Sequence, residues 1–359
     1  MQETTMKLII TGGAGFIGSA VIRVAVMQGH QILNIDKLTY AANLTNLTEI
    51  EHRENYQLQQ ADICDTQLMT SLMAEFKPDA IMHLAAESHV DRSIDGPSTF
   101  IETNIVGTFS LLEAARAYVE SGCTAPNFKF HHVSTDEVFG SLGTEGAFTE
   151  DSPYRPNSPY AASKASSDML ARAWHKTYGL PVIVSNCSNN YGPFQFPEKL
   201  IPVVIERARA GQPIEIYGDG SNIRDWLHVT DHADALLLIA ARGETGETYN
   251  VGGREERTNL ELVKMICAIM DDRFPDAPFG PHESLISFVT DRPGHDARYA
   301  VDCQKIEREL CWTPKTSLEA GLRSTVDWYL DNQDWIENIK TGGYRLERVG
   351  LNAQERVSQ

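Results

Sequence analysis

Lys7-Leu-Ile-Ile-Thr-Gly-Gly-Ala-Gly-Phe-Ile-Gly18 is the stretch that decides the fold. Its first five residues read as a buried strand, because a short unbroken apolar run suits a strand covered on both faces. The glycines follow at once, spaced Gly12-x-x-Gly15-x-x-Gly18, and a helix is expected from about Gly15. Each glycine has a mechanical reason: a tight turn, close approach of backbone to a pyrophosphate, and close packing of helix on strand. A diphosphate held there lies against free backbone N–H groups, in the turn that also contains Phe16 and Ile17. Asp36 closes the next strand-like run, Gln31-Ile-Leu-Asn-Ile-Asp36. A carboxylate at that place accepts hydrogen bonds from the ribose hydroxyls of an adenosine and repels a 2′-phosphate, so NAD is expected over NADP. Lys37 weakens that preference slightly. Lys37, Leu38 and Thr39 follow the strand, and Asp62 and Ile63 follow the third one, placed to border the adenine.

The rhythm continues outward. Runs 79–84, 128–134 and 181–186 read as further strands separated by helical stretches, the pattern of βαβ units. The expected fold is α/β: a Rossmann-type doubly wound parallel sheet with a smaller C-terminal α/β substrate-binding lobe. After about residue 187 Gly and Pro become frequent, and short strands (214–217, 226–229, 248–251) mix with helices (231–242, 259–270, 318–330). The expected organisation is therefore residues 1–187 as the NAD-binding part carrying the catalytic residues, and 188–345 as a mainly substrate-binding lobe interleaved with the sheet. Residues 346–359 are expected to be a loose tail, and about five extra residues precede the first strand, with Met6 an alternative start.

Composition narrows the classes. The 359 residues are 42% hydrophobic, enough for a sizeable core, and carry a net charge of −18. Such a field repels nucleic acid and anionic membranes, although local cations and helix N-termini still admit a small anion. The longest apolar run, 235–241, is far too short to cross a bilayer, and nothing at the N-terminus reads as a signal peptide; a cytoplasmic protein is expected. The six cysteines include no CxxC pair and no accompanying His cluster, so reduced thiols are expected, with no metal site and no disulfide framework.

Tyr160-Ala-Ala-Ser-Lys164 places a phenol and an ammonium on one helix face. A lysine charge nearby lowers a phenol's pKa and fits it to act as a base toward a hydroxyl. Alone, the pair also reads as surface decoration; beside the glycine motif it reads as catalytic.

The chain resembles the extended short-chain dehydrogenase/reductase family. The resemblance is carried by TGGAGFIG (11–18), HLAAESHVDRS (83–93), STDEVFG (134–140), YAASK (160–164), SNCSNNYGPFQFPEKLIP (185–202), IYGDGSNIRDWLHV (216–229) and DRPGHDARYA (291–300). Within that family it is similar to the sugar-nucleotide 4,6-dehydratases, which implies a dTDP-glucose-type substrate, tightly retained NAD and a homodimer built on two long helices per subunit, around 97–120 and 158–178. The resemblance implies Tyr160 and Lys164 in C4 oxidation, Thr135 at the sugar hydroxyl, Glu137 as base at C5 and Asp136 as acid at the departing 6-hydroxyl. It further implies cofactor contacts from Leu84, Ala85, Ala86, Ser88, Thr103 and Asn190. On the substrate side it implies Ser88, Asn189, Lys199 and Leu200, with Arg224 and Arg292 as diphosphate partners, Tyr217 against the base, and Asn259 and His295 completing the pocket. Adjacent carboxyls split their pKa values, which suits one acid and one base. A UDP- or GDP-sugar dehydratase, a 4-epimerase and a non-catalytic NAD-binding regulator are the competing readings; the Asp136–Glu137 pair speaks against the last two. The loop 141–159 is shorter than in many family members, a compact turn expected to touch no catalytic position.

Overall fold

The computed structural model describes residues 5–122 and 124–341. Met1–Thr4, Cys123 and the expected tail lie outside the described residues. Seven strands form one wholly parallel sheet: β1 (Lys7–Thr11), β2 (Gln31–Asp36), β3 (Tyr56–Gln60), β4 (Ala80–His83), β5 (Lys129–Thr135), β6 (Val182–Cys187) and β10 (Thr248–Val251). Their order is β10-β6-β5-β4-β1-β2-β3. The chain winds to one edge through β3, returns to β4 beside β1, and proceeds to the other edge. The crevice at that reversal, outside the carboxyl ends of the strands, is where such sheets bind ligands.

Residue alternation explains the two covered faces. In β1, Leu8 and Ile10 join the core shared with helices α1 (Phe16–Met27) and α8 (Val229–Arg242). Ile9 faces the opposite core, shared with α2 (Thr66–Phe76), α5 (Thr108–Glu120) and α6 (Pro159–Tyr178). Full burial of each such side chain contributes about 1.5–3 kcal/mol, so the continuous apolar run is explained from both sides. Helices α3 (Val90–Asp95) and α4 (Ser98–Phe100) lead through a π-helical turn, Ile101–Gly107, into α5.

The C-terminal lobe has its own core, built from α7 (Leu200–Arg209), α9 (Asn259–Arg273), α11 (Leu318–Asp331) and α12 (Gln333–Thr341). It holds two small sheets, β11 (Glu256–Thr258) with β9 (Ile223–His228) and β7 (Asn189–Tyr191), and β12 (Ile286–Val289) with β8 (Ile214–Tyr217). Helix α10 (Gln304–Leu310) instead packs beside β10 and α8 on the large sheet. Thus a strand and two helices from the second half of the sequence complete the first.

The expected strand 226–229 is corrected at both ends. It begins at Ile223, and Val229 already opens α8, so the helix expected from 231 starts two residues early. The cause is Asp225, buried in mid-strand, whose carboxylate accepts from Gly253 N (2.9 Å) and Glu255 N (2.8 Å). Paired burial hid a strand behind charged letters. The helices expected to end at 270 and 330 run on to Arg273 and Asp331. Of the described cysteines, Cys187, Cys267 and Cys303 are buried, Cys64 is half-buried and Cys311 exposed; all five are free thiols. Among the described residues no helix is long and apolar enough to cross a membrane.

Candidate active site

Parallel register brings the carboxyl ends of the strands level: Thr11 stands opposite Ile35 and His83, and Thr135 opposite Cys187. Along this line runs a cavity of about 310 Å³. Its wall includes Gly12, Gly15, Phe16, Ile17, Gly18, Asp36, Lys37, Thr39, Asp62, Ile63, Leu84, Ala85, Ala86, Ser88 and Thr103. Thr135, Asp136, Glu137, Tyr160, Lys164, Asn189, Asn190 and Lys199 complete it from the other side. Leu38 is the one expected cofactor contact that does not line the wall; it takes a left-handed conformation (φ 58°) and turns the chain after Asp36.

The glycine loop fits a dinucleotide by exclusion. A Cβ on Gly12 (φ 75°) would stand 2.7 Å from Ala85 Cα, and one on Gly18 would stand 2.2 Å from Gly12 O. At Gly15 only Gly12 O, at 3.3 Å, lies near, which leaves open room before the first turn of α1. A diphosphate needs that room and those N–H groups. Asp36 accepts from Ala14 N (2.9 Å) and Leu38 N (2.8 Å), so it braces the loop while each oxygen keeps capacity for a further donor. Lys37 Nζ pairs with Asp62 at 2.6 Å instead of crowding Asp36, so the preference for an unphosphorylated ribose is not weakened from that side.

In the wall of this cavity, with Tyr160 and Lys164, sits the carboxyl pair. Thr135 ends β5, its Oγ1 donating to Asp136 Oδ1 (3.3 Å) and accepting from Glu137 N (3.3 Å), which opens a short 3₁₀ turn, Asp136–Phe139. Asp136 is buried and its Oδ2 has no hydrogen-bond partner among the described residues. Burial, then the Glu137 and Asp225 charges, push its carboxyl well above the usual range. Glu137 is also pushed up by burial, but Arg292, Lys199 and Arg224 pull it back. One carboxyl therefore keeps a proton more firmly than its neighbour, the division that a paired acid and base require.

Tyr160 departs from expectation. Burial, then the Glu137 and Cys187 charges, push the phenol up. Lys164 Nζ donates to Val133 O at 2.9 Å. In the protein alone burial and the neighbouring negative charges disfavour the phenolate more than the hydrogen bond from Thr135 favours it.

The remaining expected substrate residues form a second group on the C-terminal lobe, beyond the cavity wall. Arg292 pairs with Asp91 at 2.9 Å, and the same carboxylate accepts from Tyr217 OH at 3.2 Å. The Tyr217 ring meets His295 edge-on at 6.3 Å, and His295 Nδ1 lies 2.6 Å from Asp291. Arg224 is buried over Tyr299, donating to Ile223 O (2.7 Å) and Asp296 O (2.9 Å). Asn259 begins α9 and donates its backbone N–H to Asn222 O. Leu200 packs into the lobe's core and does not line the cavity. Arg292 and Arg224 lie close enough to pull the Glu137 carboxyl down, which puts these two cations within electrostatic reach of the carboxyl pair.

A family model described as GDP-mannose 4,6 dehydratase matches residues 9–325. The chain belongs to that dehydratase family. It is 57% identical over 350 residues to a dTDP-glucose 4,6-dehydratase of Neisseria meningitidis, covering 96% of this chain and 99% of that protein. It is 54% identical over 360 residues to the dTDP-glucose 4,6-dehydratase of Escherichia coli, covering 96% and 99%. A solved dTDP-glucose 4,6-dehydratase of Streptomyces venezuelae with NAD bound superimposes with a TM-score of 0.84 at 44% identity, over 93% of this chain and all of that one.

Several residues of this dehydratase site carried no signal in the sequence, among them Glu198 and Asp91 and the lining residues Glu87, Ser188, Gln195 and Phe196. Glu198 lines the cavity with a side chain only 3% exposed, accepting from Tyr40 OH (3.0 Å) and Arg92 Nε (3.2 Å). Asp91 holds Arg292 and Tyr217 together. Glu198 and Asp91 both lie inside the quoted motifs, whose many other polar residues gave neither carboxylate a distinguishing signal. Loop 141–158 lines none of the cavity; strand-like bonds of Leu142 and Phe148 to Arg298 O and Ala300 O pin it to the C-terminal lobe.

Proposed function

We propose that this chain dehydrates dTDP-glucose to dTDP-4-keto-6-deoxyglucose, with NAD as retained cofactor. The observation that carries the reading is the unequal carboxyl pair Asp136–Glu137 beside Tyr160 and Lys164 in one cavity; the kinship to dTDP-glucose 4,6-dehydratases supports the choice of sugar nucleotide. Residues 1–187 would hold NAD and the reacting groups, and 188–345 mainly the nucleotide. Gly12, Gly15 and Gly18 admit the cofactor diphosphate, Asp36 takes its ribose, and Leu84 to Ala86, Ser88, Thr103 and Asn190 border it. Bound NAD supplies the redox capacity at C4 and C6 of the sugar.

The chain's own side chains move the protons. Tyr160 takes the proton of the 4-hydroxyl as a phenolate, the form that the protein alone disfavours and that the Lys164 cation favours, while Thr135 holds that oxygen. A ketone at C4 makes the C5 proton acidic. Glu137 removes it, and Asp136 protonates the departing 6-hydroxyl so that water leaves. The proton on Glu137 returns to C5 at the end, and the proton taken up by Tyr160 balances the one given by Asp136, so that exchange with solvent restores both groups. Arg292, Arg224 and Lys199 meet the substrate diphosphate, with Asn189, Tyr217, Asn259 and His295 around the nucleotide.

A homodimer is part of this reading. Ile101 (47% exposed), Val106, Phe109, Met169 and Tyr178 expose apolar surface along 97–120 and 158–178, the segments expected to form a four-helix interface. Cytoplasmic location follows from the proposed use of a nucleotide sugar and NAD, and free thiols are compatible with it.

The test is incubation with dTDP-glucose and, separately, UDP-glucose, followed by mass and strong-alkali absorbance. Loss of one water from dTDP-glucose is expected. A product of unchanged mass overturns the proposal in favour of an epimerase, and preferential turnover of UDP-glucose overturns the nucleotide assignment.

A further inference from the structure

The inner face of α6 carries more charge than the proton transfers above require. Tyr160, Lys164, Asp168 and Arg172 recur at every fourth residue, so each stands about one turn above the last and neighbours it on the helix surface. Asp168 has no exposed surface at all. Its Oδ1 lies 3.1 Å from His132 Nε2, and its Oδ2 accepts from Tyr154 OH (2.8 Å) and Asn186 Nδ2 (3.3 Å). Tyr154 OH in turn accepts from Arg172 Nη2 at 3.0 Å. The donors converging on Asp168 stabilise a carboxylate. Burial pushes its pKa up, but His132, Lys164 and Ser134 together bring it below the ordinary value.

The groups around Lys164 leave Asp168 as its counter-charge. His83 of β4 and His132 of β5 are both pulled down by burial and are neutral. Cys187 of β6 is pushed up to about 12 by burial and is a neutral thiol. Asn186 of β6 is uncharged, and Arg172 reaches Asp168 only through Tyr154. Burial pulls the Lys164 pKa down, and Asp168 is the largest influence opposing it. Glu137 and Asp136 lie at the Tyr160 end of the column, where they act on the phenol.

We propose that Asp168 is a positioning residue for the reaction: its buried negative charge, one helical turn beyond Lys164, keeps that lysine an ammonium in a dry interior and so keeps Tyr160 fit to exchange a proton with the sugar. This rests on the roles given above to Tyr160 and Lys164. It also explains why a carboxylate occupies a place where the desolvation cost is high and no solvent screens it.

Removing a negative charge lowers the pKa of every neighbour, so Tyr160 and Lys164 shift the same way. Asp168→Asn is expected to move both limbs of the kcat/KM pH profile for dehydration down by about one pH unit. Asp168→Glu, which keeps the charge, is expected to leave the limbs in place whatever it does to the maximum. A purely structural Asp168 would lower the maximum and the thermal midpoint with both limbs unmoved in the Asn variant, and that result overturns the proposal. If the Asn variant does not fold, the native protein gives the answer through lysine labelled with ¹⁵N and ¹³C, Lys164 being assigned by its loss in Lys164→Arg. An ammonium signal at the pH of maximal stability and activity is required, and a neutral amine there overturns the proposal. The labelling experiment reads no turnover, so it separates failure of this inference from failure of the dehydratase reading.

Discussion

Asp136 shows most directly what the site costs the protein. Its carboxyl is held well above the ordinary value of 3.8, so between that value and the folded-state pKa the folded chain binds a proton that the unfolded chain has released. Stability from this group is fully present below the unfolded value and is lost as pH rises through the folded one. Each unit of separation corresponds to about 1.4 kcal/mol. Asp136→Asn has nearly the same shape and cannot ionise. It is expected to abolish dehydration and yet raise the thermal midpoint at neutral pH by a few degrees, with the gain vanishing below about pH 4. Calorimetry across pH checks this, and an Asn variant less stable than the native protein at every pH would contradict it. The identity of the carboxyl pair was legible in STDEVFG. Its imbalance was not, because Asp225 and the cations Arg292, Lys199 and Arg224 come from segments far along the chain.

At the scale of elements, the helical segments beside the residues proposed as catalytic also expose Ile101, Phe109 and Met169. Phe109→Glu combined with Met169→Glu places charges on a surface that, in a dimer, would be desolvated, a cost that such an interface does not sustain. Light scattering is expected to report a monomer for the double variant and a dimer for the native chain; a native monomer would remove the dimer from the proposal. Elements were legible where apolar runs end at turn residues: β1, β8 and β10 have the expected bounds, 7–11, 214–217 and 248–251. The start of β9 was hidden by Arg224 and Asp225. The π-helical turn at 101–107 was also hidden, since tertiary contact makes it: Gly107 has no room for a Cβ beside Ile63 Cδ1 (2.6 Å), and Asn104 bonds the Glu87 backbone and Ser163 Oγ. Neither constraint has a local pattern. Arg292, Tyr217 and His295 meet through Asp91 and through ring contact, but spacing along the chain carried no measure of how far they stand from the cavity.

For the whole molecule, the decisive feature is that β10 and α8 belong to the large sheet although they follow the residues that begin the second lobe. A fragment of residues 1–187 lacks the strand that pairs β6 and the helix whose Val229, Ala233, Leu236, Leu237 and Ala240 cover α1. It is expected to lose cooperative unfolding and to be digested rapidly, whereas residues 1–341 resist; proteolysis of the two side by side checks this, and a compact, resistant 1–187 fragment would refute it. The same topology sets a clock. Translation reaches the last residue of β6 at position 187 and the first of β10 at 248, and at usual speeds of about 5–20 residues per second that interval is roughly 3–12 s. Throughout it a newly made chain carries a parallel strand with an open edge beside an uncovered apolar helix, the kind of surface that sticks to its own kind. Crowded synthesis of this chain therefore has a window of seconds in which aggregation competes with folding, and slower decoding between those positions lengthens it without altering one residue of the finished enzyme.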